Sequence, residues 1–565
     1  MTIEEKYLHW LRHPNMTDDL KKELESMDET AKNDAFYTDV EFGTAGMRGV
    51  LGAGTNRLNI FTITKANEGF ARYIEDHGEE AKKRGVAISH DNRYYSREFA
   101  IASAEVLAMH GITSYLFDAL RPTPELSYAV RHLNCFGGIM VTASHNPKEY
   151  NGYKLYDENG CQLIPELVEG VIRHVNEIED MLDLKIDVTD EQRKLIHEIS
   201  ADVDEPYYKD ILSIQLHPEL DKKNFRIVFT PQCGTANVPM RELFKRMGYD
   251  VVYVEEQCAP DPAFSTTITP NPELPDAYVL ALEYARKCNA DIVLTTDPDA
   301  DRLGVGCRQG DDYVLLTGNQ GGSVLLEYVF SQRLALNKMP ENPVMFNTVV
   351  TSDLGEAIAK HYGVETEKTL TGFKFIGDKI FKYEKNHAKN FVFGYEESYG
   401  YLLAPFVRDK DSMQSCTMLA ECANFYKKQG KTLLDVLHEL YNRYGWYNET
   451  QQSIGFVGSQ GAEDMAKMLA KLRADAPKSI GGIAVAKTED YQVQKVWENG
   501  EEKELTGFPK SNVLKYYLED GSWIAVRPSG TEPKCKFYYC IKGNDENDVH
   551  DKTALLQNAM KELIK

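Results

Sequence analysis

The stretch Gly138-Ile139-Met140-Val141-Thr142-Ala143-Ser144-His145-Asn146-Pro147 decides the fold. Its first half is apolar and rich in residues that favour strands, and its second half is small and polar. Pro147 cannot extend a strand ladder, because it has no backbone N–H. The pattern predicts a buried strand that ends in a turn, where the Ser144 side chain is exposed to a ligand.

The sequence before this stretch alternates between helical and extended patterns. Helices are predicted over 64–75, 96–110 and 125–133, and strands over 85–90, 114–117 and 138–142. Alternation of this kind predicts an α/β layer around a parallel or mixed sheet. The first forty residues are polar and amphipathic, with apolar residues at helical spacing: Leu8, Trp10, Leu11 and Leu20.

The same alternation restarts twice further along the chain. It gives strands at 225–230, 290–295, 344–348 and 391–394, with a helix at 354–362. The C-terminal part differs, with helices at 461–474 and at the end of the chain, and strands near Val485, at 523–526 and at 536–541. We therefore predict three α/β domains and one α+β domain. Their expected ranges are 1–205, 206–322, 323–447 and 448–565.

Size and composition narrow the class of protein. A chain of 565 residues, 42% hydrophobic and 27% charged, is expected to fold into several globular domains. No stretch approaches the roughly 18 consecutive apolar residues of a membrane helix. Met1–Lys6 shows no basic segment leading into an apolar one, so no signal peptide is expected. Ten cysteines without a C-x-x-C pair indicate reduced thiols and a cytoplasmic location.

The formal net charge of −23 limits the partners. A surface this negative repels nucleic acid and anionic membranes, so neither is expected as a partner. An anionic small molecule remains compatible with this charge if basic residues gather in a cleft.

The loop at Ser144 has two interpretations. Ser144 is a candidate nucleophile with His145 beside it, and Lys154 lies a short turn downstream, within expected reach of the same cleft. Alternatively, Ser144 or Asn146 caps a helix, because both residue types are preferred at helix N-caps.

A second loop, Asp297-Pro298-Asp299-Ala300-Asp301-Arg302, follows the strand over 292–294. Three carboxylates at alternate positions offer the oxygen ligands that Mg²⁺ prefers. The loop is not an EF-hand, because Arg302 stands at the sixth position, where that motif has Gly, and Arg308 at the twelfth, where it has Glu. The alternative is a solvated acidic turn.

A third loop, Gly394-Tyr395-Glu396-Glu397-Ser398-Tyr399-Gly400, also follows an apolar strand. Its carboxylates and its serine are candidates for hydrogen bonds to sugar hydroxyls. Arg408 and Lys410 follow and are expected to add positive charge near a substrate.

A fourth loop, Arg527-Pro528-Ser529-Gly530-Thr531-Glu532-Pro533, combines a guanidinium, two hydroxyls and a glycine. Such a set is typical of a phosphate-binding turn, although an ordinary Pro-Gly turn is the alternative. An earlier segment, Gly43–Gly49, places Arg48 among glycines and is either a ligand loop or a plain one.

Together the four loops resemble the α-D-phosphohexomutase superfamily, and most closely its phosphoglucomutase branch in the phosphoglucomutase/phosphomannomutase family. The resemblance runs from Gly43 to Pro533, with the motifs in the family order, and two lesser matches at Thr371–Lys374 and Thr269–Glu273 support it. It implies a heart-shaped molecule of four domains, with one loop from each domain in a central active-site cleft.

The resemblance also implies roles for individual residues. Ser144 matches the phosphorylated serine, and Asp297, Asp299 and Asp301 match the Mg²⁺ ligands that act with its phosphate. The charged residues around the transfer site are Arg48, His145, Lys154 and Lys410. The residues expected to contact substrate are Arg302, Thr371, Gly372, Glu396, Ser398, Arg408, Arg527, Ser529, Gly530 and Thr531.

The implied activity is interconversion of a hexose 1-phosphate and 6-phosphate through a hexose 1,6-bisphosphate. Glucose is favoured over mannose or pentose phosphates by the Tyr-Glu-Glu-Ser-Tyr form of the third loop. No histidine follows Ser398 closely, so Lys154 or Lys410 is the candidate for proton handling. Glucose 1,6-bisphosphate is the expected activator, and the protein is expected to be a monomer or dimer.

Two other functions remain open from the sequence alone. A phosphatase of the haloacid-dehalogenase type also uses Asp-x-Asp after a strand, although Arg302-Leu303 after the second Asp fits that class poorly. A non-catalytic sugar-phosphate binding protein is the other, although binding alone needs no nucleophile.

Overall fold

The structure is a computed structural model that describes residues 1–42, 46–456, 458–528 and 534–564. The chain forms two compact units. Unit 1 comprises Met1–Gly321, Pro340–Asn342 and Phe373–Thr432, and unit 2 comprises Gly322–Met339, Pro343–Gly372 and Leu433–Lys565. Across the described ranges, no helix combines the length and the apolar character that a membrane crossing needs.

The first part of unit 1 is a six-stranded mixed sheet with helices packed on it. Its strands run in the order β1-β5-β4-β2-β3-β6, in which β4, β2, β3 and β6 are parallel and β1 and β5 are antiparallel to their neighbours. The elements are α1 (Ile3–Arg12), α2 (Asp18–Ser26), α3 (Glu29–Phe36), β1 (Met47–Val50), α4 (Ile60–Asp76), α5 (Gly78–Arg84), β2 (Val86–His90), α6 (Ser96–Met109), β3 (Ser114–Phe117), α7 (Thr123–His132), β4 (Gly137–Val141), β5 (Tyr150–Asp157), α8 (Pro165–Asn176), α9 (Asp190–Arg193), β6 (Ile196–Ile199) and α10 (Ala201–Ser213).

A second sheet of unit 1 has five strands. It runs in the order β11-β10-β9-β7-β8, with β7, β8 and β9 parallel and the hairpin strands antiparallel. The elements of this part of the chain are β7 (Arg226–Thr230), α11 (Asn237–Met247), β8 (Asp250–Tyr253), α12 (Val279–Cys288), β9 (Ile292–Thr296), β10 (Leu303–Gln309), β11 (Asp312–Leu316) and α13 (Gly318–Ala335).

The chain then contributes strand pairs to each unit. In unit 2, β12 and β13 are parallel, and in unit 1, β14 and β15 are antiparallel. The elements are β12 (Pro343–Thr348), α14 (Asp353–His361), β13 (Glu365–Thr369), α15 (Phe373–Asn386), β14 (Asn390–Glu396), β15 (Gly400–Leu402), α16 (Ser412–Lys427) and α17 (Leu433–Tyr444).

The C-terminal part of unit 2 is an eight-stranded antiparallel sheet, ordered β16-β23-β22-β21-β18-β19-β20 with β17 beside β18. Two helices cover it over a core of its own that includes Leu469, Tyr516, Ile524 and Leu556. The elements are β16 (Trp446–Gly455), α18 (Gly458–Ala474), β17 (Ser479–Ile480), β18 (Ile483–Asp490), β19 (Lys495–Glu498), β20 (Glu501–Glu504), β21 (Leu514–Leu518), β22 (Trp523–Pro528), β23 (Lys534–Gly543) and α19 (Glu546–Leu563).

The structure corrects one interpretation and refines another. The capping role considered for Ser144 or Asn146 is wrong, because residues 142–149 join β4 to the antiparallel strand β5 and no helix lies in that described stretch. The first forty residues form three short helices, since Pro14 and the caps at Thr17 and Asp28 interrupt the apolar pattern. The predicted boundaries at 205, 322 and 447 stay predictions.

Candidate active site

Ser144 lies in the turn that connects β4 and β5. Its side chain is buried, and its Oγ donates to Asp297 Oδ2 at 2.7 Å and lies 3.2 Å from His145 Nδ1. Its backbone has a positive φ of 53°, a conformation that is costly for a residue with a Cβ. The Ser144 N–H donates to Thr142 Oγ1 at 2.8 Å, which helps to hold this conformation.

The three aspartates lie in the turn between β9 and the antiparallel strand β10. Asp297 Oδ1 accepts the backbone N–H groups of Asp301 and Arg302 at 3.1 and 3.0 Å, which curls the turn around this carboxylate. All three side chains are buried, and they offer carboxylate oxygens within 4.8 Å of one another. The solvated acidic turn considered from the sequence is therefore wrong.

The oxygen atoms of this cluster fit a hard divalent cation. Among the described residues, Asp299 Oδ1 and Asp301 Oδ1 are buried without a hydrogen-bond partner. Buried carboxylate oxygens are costly to leave unpaired, and an oxygen-only ligand set suits Mg²⁺. The residues present therefore fit a Mg²⁺ ion held by Asp297, Asp299 and Asp301.

A second group of candidate ligands, His9, His13 and Asp180, has a different explanation. His9 Nε2 lies 2.6 Å from Asp180 Oδ2, and His13 Nδ1 accepts the N–H of Asn15 at 3.3 Å. A neutral imidazole that accepts at Nδ1 carries its proton on Nε2, so His13 is oriented for hydrogen bonding and not for ligation. We assign no metal to this group.

The carboxylates have opposite pKa shifts. Burial raises the pKa of Asp297 well above its usual range, and the charges of Asp299 and Asp301 act in the same direction. Burial alone would also raise the pKa of Asp299, but the Lys154 ammonium and the hydrogen bonds to this carboxylate lower it. The cluster thus concentrates negative charge that a bound cation would offset.

Two lysines contribute positive charge to the same place. Lys154, on β5, donates to Asp299 Oδ2 at 3.0 Å, and Lys410 Nζ lies 3.0 Å from both Asp301 Oδ2 and Asp409 Oδ1. Both lysines are largely buried. Although burial opposes it, the charges of Asp301 and Asp409 raise the pKa of Lys410, so its ammonium stays charged.

Two arginines border the cluster differently. The Arg302 guanidinium forms an ion pair with Glu273. Burial alone would lower the pKa of Arg302, but the negative charges of Glu273 and the aspartates outweigh this effect and raise it. Glu273 belongs to the lesser motif Thr269–Glu273, for which the sequence suggested no role. Arg48, on β1, is exposed, and its Nη1 donates to Asn146 Oδ1 at 3.1 Å beside the serine turn.

The pKa of His145 depends on the positive charges around it. Burial lowers its pKa well below the usual range, and the charges of Arg302, Arg48 and Arg93 lower it further. The imidazole is therefore neutral at neutral pH.

The predicted sugar-binding residues lie at the end of β14. The Glu396 carboxylate is buried, and its charge acts on both Arg302 and Lys410, which places it beside the cluster. Ser398 is half-buried in the turn to β15. We refer to residues 297–302, which carry the three aspartates, as the metal loop. The turn between β14 and β15 contacts the residue after this loop, because the Leu303 N–H donates to the Tyr399 carbonyl at 2.9 Å.

Arg408 is placed differently from the expectation that it adds positive charge near a substrate. Its guanidinium is fully buried in an ion pair with Glu384, on α15, and its contact with substrate stays a prediction.

The remaining predicted residues belong to the other unit or lie outside the described residues. Thr371, Gly372 and Arg527 belong to unit 2. Arg527, on β22, is opposite Lys536 in the antiparallel pair with β23. Ser529, Gly530 and Thr531 lie outside the described residues, so the predicted phosphate turn stays a prediction.

Three further residues hold this site together, and no sequence motif predicted them. Asp91 and Arg93 follow β2, and Arg93 donates to the carbonyls of the serine turn. Thr123, at the start of α7, donates to Asp299 through both its N–H and its hydroxyl, at 2.9 Å each. A signal for the first two was available, because β2 and β4 are adjacent parallel strands and their carboxyl ends meet at one edge.

The arrangement suits transfer of an anionic group. A buried hydroxyl lies against a cation-binding set of carboxylates, and ammonium and guanidinium groups surround both. Preorganised charges of this kind stabilise developing negative charge most effectively where water is excluded.

Comparison with known proteins gives four family matches in chain order. Residues 39–181, 205–310 and 317–444 match the phosphoglucomutase/phosphomannomutase alpha/beta/alpha domains I, II and III, and residues 470–546 match the C-terminal domain of the same family. A phosphoglucomutase from Staphylococcus aureus (strain MRSA252) is 38% identical over 549 residues, which cover 96% of this chain and 97% of that protein.

Solved structures share the fold. A phosphoglucomutase/phosphomannomutase family protein from Burkholderia thailandensis is 18% identical with a TM-score of 0.65, covering 92% of this chain and 95% of that one. The phosphoglucomutase pp63/parafusin from Paramecium is 18% identical with a TM-score of 0.67, covering 93% and 95%.

Proposed function

The chain belongs to the phosphoglucomutase/phosphomannomutase family of enzymes, and we propose that it interconverts glucose 1-phosphate and glucose 6-phosphate through phosphorylated Ser144. The observation that carries the proposal is the 2.7 Å hydrogen bond from Ser144 Oγ to Asp297, within the carboxylate cluster that fits Mg²⁺. A serine that served only as a turn residue would need no such neighbour.

The proposed reaction has two transfers in opposite directions. Phosphorylated Ser144 gives its phosphoryl group to the free hydroxyl of the hexose monophosphate, which yields glucose 1,6-bisphosphate. The bisphosphate then returns its other phosphoryl group to Ser144 after reorienting in the site. Phosphoryl transfer depends mainly on positioning and on charge stabilisation.

The residues around Ser144 divide these tasks. Asp297, Asp299 and Asp301 would hold Mg²⁺, and its positive charge, when bound, would offset the charge of the phosphoryl oxygens. Lys410 stays protonated beside Asp301 and adds a second positive charge, while Lys154 contacts Asp299 and remains our candidate for proton handling. Glu396 and Ser398 are proposed to hold the sugar hydroxyls, and Arg527 with its turn to hold the distal phosphate.

Glucose is the proposed sugar, and the 38% identity to a phosphoglucomutase supports it. Mannose and pentose phosphates are the alternatives within the family. The deciding measurement compares kcat/KM for glucose 1-phosphate, mannose 1-phosphate and ribose 1-phosphate with catalytic glucose 1,6-bisphosphate present. The glucose assignment is wrong if either of the other sugars gives the higher kcat/KM. Release of inorganic phosphate without isomerisation would instead identify a phosphatase.

Replacing Ser144 with alanine tests the proposed phosphoryl carrier. Ser144→Ala should lower kcat by at least about 1000-fold, because no other group can take its covalent role, while the dissociation constant for glucose 1-phosphate changes little. Turnover is measured by a coupled assay and binding by calorimetry. Ser26→Ala, an exposed serine at the end of α2, is the matched control. Wild-type turnover in Ser144→Ala would refute the mechanism.

A further inference from the structure

Arg93 is a fully buried arginine three residues beyond the end of β2. Its Nη1 donates to the carbonyls of Pro147 and Tyr150 at 2.7 and 3.0 Å, and its Nη2 donates to those of Ser144 and Asn146 at 2.6 and 2.5 Å. Four of the five N–H groups of one guanidinium are thus bound to a single loop.

Asp91 anchors the opposite side of the same loop. Its Oδ2 accepts the Thr142 hydroxyl at 2.7 Å and lies 3.3 Å from Arg93 Nε. Its Oδ1 accepts the Ser96 hydroxyl at 2.7 Å and the Arg93 N–H at 2.9 Å. Asp91 and Arg93 therefore form a buried pair that binds the turn between β4 and β5 through Thr142 and the four carbonyls, and α6 through Ser96.

These contacts fix both peptide groups that flank the Ser144 Cα. The Ser144 N–H donates to the Thr142 hydroxyl that Asp91 holds, and the Ser144 carbonyl accepts from Arg93. Fixing both groups determines φ and ψ, and the observed φ of 53° lies in the left-handed region that a serine seldom adopts. The direction of the Ser144 Oγ follows from that backbone conformation.

We propose that Arg93 is the positioning residue of the phosphoryl carrier, holding the Ser144 backbone in its left-handed conformation so that Oγ faces Asp297. The proposal rests on the proposed function of Ser144. Arg93 touches no reacting atom, and it acts through the four carbonyls that it binds. We refer to the four hydrogen bonds from Arg93 to the carbonyls of this loop as the clamp. These bonds must persist while Ser144 gains and loses a phosphoryl group, and backbone carbonyls do not change charge in that step.

A lysine cannot replace the Arg93 guanidinium. Its single ammonium offers three N–H groups from one atom and cannot span four carbonyls that approach two different nitrogens. Arg93→Lys keeps the charge and most of the volume but loses the geometry. Because a displacement of about 1 Å costs on the order of 100-fold in a positioned reaction, we expect a fall in kcat of about 100-fold. KM should change by less than about 3-fold, since Arg93 does not contact substrate.

The experiment compares Arg93→Lys with Arg97→Lys in the full-length protein. Arg97 is exposed on α6 and binds one carbonyl, that of Asp118, so it controls for the loss of an arginine nearby. Hydrogen exchange of the peptide over 142–150 is measured in both, alongside kcat and KM for glucose 1-phosphate. We expect faster exchange of this peptide in Arg93→Lys alone, with peptides from α12 unchanged.

The outcomes separate the clamp from the proposed function. If the peptide over 142–150 still exchanges slowly in Arg93→Lys, Arg93 does not hold this loop. If the peptide exchanges rapidly but kcat equals that of wild type, Arg93 does not position Ser144. If wild-type protein shows no mutase activity, the proposed function fails, while the exchange data still decide whether Arg93 holds the loop. A low kcat with an equal rise in KM would identify lost substrate binding and would also overturn the proposal.

Discussion

At the scale of single residues, the site depends on close contacts between backbones that are far apart in sequence. Gly234 is the clearest case, because it lies directly against the metal loop. A Cβ built on Gly234 would lie 2.3 Å from the Pro298 carbonyl oxygen and 2.4 Å from Pro298 Cα. The next residue, Thr235, donates to that same carbonyl through its N–H and its hydroxyl at 2.8 and 3.0 Å.

Gly234→Ala should therefore disturb the metal loop more than the fold. The new methyl group can be accommodated only if Pro298 moves, and this moves the aspartates on both sides of it. We expect a loss of about 1–3 kcal/mol in stability and a rise in the Mg²⁺ concentration needed for half-maximal activity of about 10-fold. Thermal unfolding and Mg²⁺ titration of activity measure the two effects.

Gly455→Ala is the control for that substitution, because a Cβ at Gly455 meets nothing within 4 Å. It should leave both quantities unchanged. An unaltered Mg²⁺ requirement in Gly234→Ala would show that the loop tolerates displacement.

At the scale of elements, a buried lysine gives unit 2 a stability that depends on pH. Lys515, on β21, is fully buried, and its Nζ donates to the Val349 carbonyl at 2.7 Å. The ammonium lies 3.9 Å from the centre of the Trp523 ring. Burial and the positive charge of Lys368 lower the pKa of Lys515 from 10.5 to about 7.

This shift gives a definite sign for the pH dependence. A lysine with a lowered pKa in the native state favours folding when it is neutral, so its contribution is fully present above the unfolded pKa of 10.5 and is lost as pH falls through about 7. The unfolding free energy of wild type minus that of Lys515→Met should rise with pH over this window, by up to about 1.4 kcal/mol per unit.

Urea unfolding at pH 7, 8 and 9, followed by tryptophan fluorescence, measures this difference. Lys467→Met, an exposed lysine on α18, is the control and should show no such slope. A difference between wild type and Lys515→Met that is constant with pH would contradict the assigned titration.

The elements were also the part of the molecule most predictable from sequence. The strand over 114–117 and the helices near 96 and 125 emerged from local periodicity, and the loops with chemistry emerged from the polar residues at strand ends. Contacts that depend on packing could not be predicted from the sequence. Arg408 was expected to add positive charge near a substrate, and its burial in an ion pair with Glu384 depends on α15 packing beside it, which no local pattern reveals.

The same limit explains the supporting residues that were missed. Asp91 and Arg93 belong to none of the motifs singled out in the sequence, and the pairing of β2 with β4 brings them to Ser144. Glu273 was noticed as part of a motif, but its role became apparent only from the ion pair with Arg302.

At the scale of the whole molecule, each of the two compact units contains an apolar core among the described residues. The core of unit 1 includes Ile63, Ile88 and Leu107, whereas that of unit 2 includes Tyr516 and Ile524. A core whose residues all come from one unit can support cooperative unfolding of that unit.

We therefore expect thermal unfolding with more than one transition. Scanning calorimetry should give a calorimetric enthalpy larger than the van't Hoff enthalpy, because the chain does not unfold as one cooperative unit. Trp10 reports on unit 1 and Trp523 on unit 2, so Trp10→Phe should remove the fluorescence change of one transition only. Equal enthalpies and a single transition would show that the whole chain unfolds as one unit.

The separation in sequence between Ser144 and Asp297 has a consequence for protein synthesis. The two residues are 153 positions apart, so the serine leaves the ribosome about 8–30 s before its carboxylate partner at ordinary elongation rates. During that interval the nascent chain already contains Asp91, Arg93 and the whole turn up to Tyr150. The serine turn can therefore take its final shape before the three aspartates of the site have been translated.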